Sequence, residues 1–134
     1  RVELLRLYRR ILFSFLVGNE DLHLKNISLI RTEGLVRLSP AYDLVNSTIV
    51  LGPDAEETAL PIAGKRRGLT RKVLVEYLGR ERFGLPEKQI GSELELLRDA
   101  VPEWNAMVNN SFLPDALKAE YVRILVARTE RLFG

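Results

Sequence analysis

The sequence predicts a mainly α-helical domain with one small β-hairpin. Three observations carry that reading. Apolar residues recur at three- and four-residue steps over Val2–Val17 and again from Asp115 to the C-terminal end. β-prone runs are confined to Ile27–Ile30 and Leu35–Leu38, which flank Arg31-Thr32-Glu33-Gly34. The chain has 134 residues, 46% hydrophobic and 28% charged, the balance of one globular domain spanning 1–134.

Taken in order, Leu4, Leu5, Tyr8, Ile11, Leu12, Phe15 and Leu16 form the buried stripe of a helix, with Arg6, Arg9 and Arg10 largely off it. Gly18 and Asn19 suit its end. The hairpin follows, with glycine near its turn. Because a hairpin brings its two ends together, Asn26 and Asp43 are expected to be neighbours. Gly52-Pro53-Asp54 marks a turn. Thr70 reads as the N-cap of a helix to Gly79, and Pro86 as the first turn of a helix to Ala100. Pro114 and Asp115 open a last helix that buries Leu117, Tyr121, Ile124, Leu125 and Leu132. Trp104, Val101 and Met107 read as core packing.

A net charge of +2 is too small to argue for nucleic-acid binding. The absence of cysteine excludes disulfides and thiolate metal sites, and fits a reducing cytoplasm. The arginines within Val2–Val17 rule out a membrane span there, and no signal-peptide cleavage site follows. The chain starts at Arg1 inside a helical pattern, with no initiator methionine, and is expected to be a piece of a longer protein.

The chemistry is concentrated in Asp21-x-His23-x-x-Asn26, followed by Asp43. Three fixed residue types in one window recur by chance about once in ten thousand windows. Phosphoryl transfer needs this set: a carboxylate to orient and deprotonate a hydroxyl, and an amide oxygen and second carboxylate to hold magnesium on nucleotide phosphates. Asp21 is the candidate base, and Asn26 and Asp43 are the candidate ligands. The plainer readings are a turn residue for Asp21, a loop amide for Asn26 and a turn or cap residue for Asp43. His23, the one histidine, is either structural or phosphate-facing; one imidazole makes no zinc site. Lys25 either supplies positive charge to the phosphate or is solvated. The basic cluster Lys65, Arg66, Arg67, Arg71 and Lys72 reads as a solvated loop before an anion site. Nothing in the chain looks like a glycine-rich phosphate loop or a nucleotide-binding lysine strand.

Gly18-Asn19-x-Asp21-x-His23-x-Lys25-Asn26, with Leu38-Ser39-Pro40-x-Tyr42-Asp43-Leu44, resembles the C-terminal lobe of HipA-like serine/threonine kinases, the toxins of bacterial toxin–antitoxin systems. Ala59-Leu60-Pro61-Ile62-Ala63-Gly64-Lys65 resembles that family's segment after the metal loop. The resemblance is specific over about residues 11–70. It implies a protein-kinase-like C-terminal lobe, with Asp21 as catalytic base and Asn26 and Asp43 coordinating Mg2+ with ATP. It implies as partners a protein substrate, an aminoacyl-tRNA synthetase in known members, and a helix-turn-helix antitoxin, with DNA reached only through the antitoxin. It places the protein in the cytoplasm, away from membranes. The family's N-terminal ATP-binding lobe is absent, so the isolated chain is expected to be inactive. Two other readings remain: a phosphatidylinositol-kinase-like enzyme, against which Leu22 stands where that superfamily has arginine, and a noncatalytic helical module that binds an antitoxin.

Overall fold

The architecture follows from one buried helix. A computed structural model describes residues 2–134. Helix α1 (Val2–Val17) buries Tyr8, Leu12, Phe15 and Leu16. A 3-10 turn at Leu24–Asn26 leads into the hairpin β1 (Leu29–Thr32) and β2 (Leu35–Leu38). A short α2 (Thr48–Leu51) precedes a π-helix at Lys72–Arg82, then α3 (Glu87–Asn109) and α4 (Asp115–Phe133). The core forms where Tyr8, Leu12 and Leu16 meet Leu74 and Leu78 of the π-helix, Leu94 and Leu97 of α3, and Leu125 and Leu132 of α4. This is the expected mainly helical fold with one antiparallel hairpin. Among the described residues no helix is long and apolar enough to cross a membrane.

Several boundaries differ from expectation for local physical reasons. The first strand begins at Leu29 rather than Ile27, because Ile27 closes the 3-10 turn, its N–H donating to the Leu24 carbonyl. The hairpin turn is only Glu33-Gly34, both at positive φ (52° and 79°), the two-residue turn whose twist matches the strands. The helix expected to end at Gly79 runs to Arg82. Gly79 is a point of close approach: a Cβ there would lie 3.1 Å from the Tyr8 hydroxyl. The wider π winding carries it on, as the Leu78 carbonyl accepts from the Phe83 N–H five residues later at 3.0 Å. Helix α3 continues past Ala100 to Asn109 with Pro102 inside it. An interior proline costs about 3 kcal/mol. Packing beyond it offsets that cost: Trp104 meets the edge of Phe13 with centroids 5.1 Å apart, and Val108 is buried. The core reading holds for Trp104 and Val101 and fails for Met107, which is 64% exposed. Arg10, expected off the buried stripe, is itself buried.

Candidate active site

The loop carrying Asp21 is pinned at its root by the end of α1. Gly18 turns the chain out of the helix at φ 77°. Its carbonyl accepts from the Thr48 N–H at 3.1 Å and the Thr48 hydroxyl at 2.8 Å. Asn19 is buried, its N–H donating to the Ser14 carbonyl at 2.9 Å. The Asn19 Oδ1 in turn accepts the Asp21 N–H at 3.1 Å. The Asp21 backbone is thereby fixed while its carboxylate stays about half exposed. A positioned, solvent-reachable carboxylate is what a general base requires.

His23 lies against that carboxylate, with Nε2 3.1 Å from Asp21 Oδ1. The contact makes the histidine a neighbour of the Asp21 carboxylate. Lys25 is exposed, and its carbonyl accepts the Tyr42 hydroxyl at 3.0 Å. Asn26 is buried. Its Nδ2 donates to the Asp21 carbonyl at 2.7 Å, which fixes the amide and leaves Oδ1 without a protein partner among the described residues. Asp43 sits at φ 54° with an exposed carboxylate that forms no ion pair among the described residues.

The hairpin draws the two loops together. The Ser39 N–H donates to the Ser28 carbonyl at 2.8 Å, and the two serine hydroxyls meet at 2.9 Å. The Tyr42 hydroxyl spans from the Asp43 loop to Lys25. Among the described residues no cluster of three or more His, Cys, Asp or Glu side chains could cage a metal. An uncommitted amide oxygen and an uncommitted carboxylate fit magnesium, which takes one or two protein oxygens and completes its shell with phosphates and water. An apolar groove of about 350 Å³ runs behind the loop, walled by Leu22, Leu24, Leu60, Pro61, Tyr77 and Phe83.

The basic cluster is largely committed to the fold. Arg66 pairs with Glu56 at 3.2 Å, Arg67 donates to the Asp54 carbonyl, and Arg71 donates to the Leu132 carbonyl at 2.7 Å. Two buried arginines outside the motif support the site from beneath. Arg10 donates from Nη2 to the Ser39 carbonyl at 2.7 Å, and Arg128 from Nη1 to the Phe15 carbonyl at 2.6 Å. The available signal was a charge within an apolar stripe: Arg128 falls at helical spacing between Ile124, Leu125 and Leu132.

Known proteins share the sequence and fold of this chain. The sequence model of the HipA-like C-terminal domain matches residues 1–105. The chain is 48% identical over 52 residues to a protein of Sinorhizobium fredii described as "Putative kinase Y4dM", a match covering 38% of this chain and 12% of that protein. It superposes with a TM-score of 0.76 and 27% identity on a chain of the Shewanella oneidensis MR-1 toxin–antitoxin complex of HipA, HipB and operator DNA. That superposition covers 95% of this chain and 31% of the other. A family match over most of the length, a shared fold and the expected loop sequence converge: this chain belongs to the HipA-like C-terminal domain family.

Proposed function

We propose that this chain is the catalytic lobe of a serine/threonine protein kinase that transfers the γ-phosphoryl group of Mg-ATP to a protein hydroxyl. The observation that carries the reading is the division of labour in the loop. The Asn19 side chain fixes the Asp21 N–H, while the half-exposed Asp21 carboxylate, the Asn26 Oδ1 and the Asp43 carboxylate remain available. In the reaction the substrate oxygen bonds to the γ-phosphorus, its proton passes to Asp21, and the bond from the γ-phosphorus to the β,γ-bridging oxygen breaks to release ADP. Asn26 and Asp43 would hold magnesium, which when bound would supply charge neutralisation on the phosphates. Lys25 adds positive charge at the rim, and His23 holds the Asp21 carboxylate in register. Positioning and electrostatics supply most of the rate.

The ATP-binding lobe belongs, on this reading, to the rest of a longer protein, and the 134-residue chain alone is inactive. Two features support that. The chain spans 12% of its curated kinase relative and 31% of the solved toxin–antitoxin chain. The hairpin also leaves Leu29, Ile30, Leu35 and Val36 exposed, apolar surface that calls for cover. The solved relative is part of a complex with HipB and operator DNA, which supports an antitoxin partner for the full-length protein, with DNA reached through it. A translation component such as an aminoacyl-tRNA synthetase is the proposed substrate, and the cytoplasm the proposed place of action.

The test is magnesium-dependent incorporation of labelled phosphate by the full-length protein, beside its Asp21→Asn variant. Incorporation should fall by about a hundredfold or more in the variant, with the fold intact. Equal incorporation in both would refute the assignment of the base. Incorporation into inositol lipid but not protein would favour the lipid-kinase alternative, and none in either folded protein a noncatalytic antitoxin-binding module.

A further inference from the structure

The family model matches residues 1–105, and the root of the Asp21 loop is held by a residue beyond that stretch. Helix α4 brings Arg128 against the last turn of α1. The Arg128 side chain is 6% exposed, an unusual place for a guanidinium. Its Nη1 donates to the Phe15 carbonyl at 2.6 Å, and its guanidinium lies over the Phe15 ring, 5.2 Å from the centroid. The same carbonyl accepts the Gly18 N–H at 3.4 Å, the long bond at which the chain leaves the helix. A cation at a helix C-terminus faces the partial negative charge of the last carbonyls, and burial strengthens that attraction.

The alternative is that Arg128 merely packs the core. A core position there would favour an aliphatic side chain, because burying an arginine carries a desolvation cost. That cost is visible in its acidity: burial pulls the Arg128 pKa below the ordinary arginine value, opposed by the charges of Glu57 and of Glu20, the neighbour of Asp21. Arg131, whose like charge also lowers the Arg128 pKa, is held away on Glu57 and lies 5.8 Å from the Phe15 ring. The guanidinium is therefore placed where the loop begins.

We propose that Arg128 is a positioning residue for the Asp21 loop, holding the Phe15 carbonyl so that Gly18 and Asn19 leave α1 at the angle that presents the Asp21 carboxylate. The proposal rests on the reading of Asp21 as the base, but its geometric half can be measured without activity. The experiment compares Arg128→Met and Arg128→Lys with wild type in the full-length protein. The Arg123→Ala variant is the control, because among the described residues Arg123 pairs only with Glu120 on the same helix.

The expected result is a fall in kcat of about tenfold or more in Arg128→Met with the KM for Mg-ATP within about twofold, and partial recovery in Arg128→Lys, which keeps a charged donor. Amide exchange at Gly18 and Asn19 should accelerate by about tenfold or more, while Leu94 and Leu97 of α3 exchange as in wild type. Unchanged exchange at Gly18 and Asn19 in Arg128→Met, or equal acceleration throughout α1 and α3, overturns the proposal. If Arg128→Met does not fold, Arg128→Lys decides by whether its faster exchange is confined to the loop root. If wild type transfers no phosphate, the kinase reading fails and the exchange data alone judge the role of Arg128.

Discussion

Gly18→Ala tests how tightly the loop root is built. Gly18 has φ 77°, and a Cβ there would lie 2.7 Å from Asn46 Oδ1. The left-handed backbone costs a residue with a side chain about 1–2 kcal/mol. The clash adds to this, because Asn46 cannot swing away freely: its Oδ1 accepts the Ile49 N–H at 3.1 Å. Breaking that bond costs about 0.5–1.5 kcal/mol. Gly18→Ala should therefore destabilise by about 1.5–3.5 kcal/mol, read as a lower urea midpoint at unchanged slope. In an Asn46→Ala background the clash and the Ile49 bond are already gone, so only the backbone cost should remain. The double-mutant cycle should then show a coupling of about 0.5–1.5 kcal/mol. A Gly18→Ala cost below about 0.5 kcal/mol would refute the strained-root argument. An equal cost in both backgrounds would remove the clash from it.

Other measurements probe the frame and the ligands. Burial pushes the Tyr8 hydroxyl up to about 12, against Arg71, which lowers it. The folded pKa exceeds the unfolded value of about 10, so the contribution is intact below pH 10 and is lost as pH rises towards 12, by roughly 2–3 kcal/mol; urea titrations of Tyr8→Phe across that range should lose this slope. Arg10→Met removes a charged bond to the Ser39 carbonyl but also a buried guanidinium whose Nη1 has no partner. The two effects oppose, so its stability should stay within about 1 kcal/mol of wild type, and a loss above about 3 kcal/mol in urea unfolding would contradict that balance. Asp43→Asn suits the positive φ at this position better than alanine would and keeps the shape while removing the charge; calorimetry on the full-length protein should show Mg-ATP affinity reduced by about tenfold or more. The His23–Asp21 contact is half exposed and worth about 0–1 kcal/mol, so His23→Ala should leave the unfolding midpoint nearly unchanged and slow phosphorylation by less than about tenfold, far less than Asp21→Asn.

What was legible in the sequence was what local periodicity and turn chemistry determine. The α1 stripe, the hairpin around Glu33-Gly34 and the start of α4 each depend on residues within a few positions of one another. The errors came where packing from a distant segment overrode a local signal. Gly79 looked like a helix stop because glycine usually is, but Tyr8 from α1 occupies the space a side chain would need. The helix expected to end at Ala100 runs on through Pro102, whose ring disfavours a helix interior, because Trp104 beyond it packs on Phe13. Neither partner can be found by scanning a window.

The same division explains the site. Asp21, His23 and Asn26 lie on one loop, so the motif was legible as a run of sequence, and the hairpin that joins the Ser28 and Ser39 ends leads on to Asp43. The struts are different in kind. Arg10 reaches the Ser39 carbonyl, Glu93 of α3 grips Arg9 of α1 through two bonds of 2.5 and 2.7 Å, and Arg128 reaches back to Phe15. Each carries a charge in or beside the core, where a periodicity argument expects none, and each joins segments distant along the chain. A motif needs only the loop to be recognised, whereas holding Asp21 in place needs the loop, α1 and α4 together. Truncation at residue 105 would keep every residue of the motif and remove the guanidinium that secures its root.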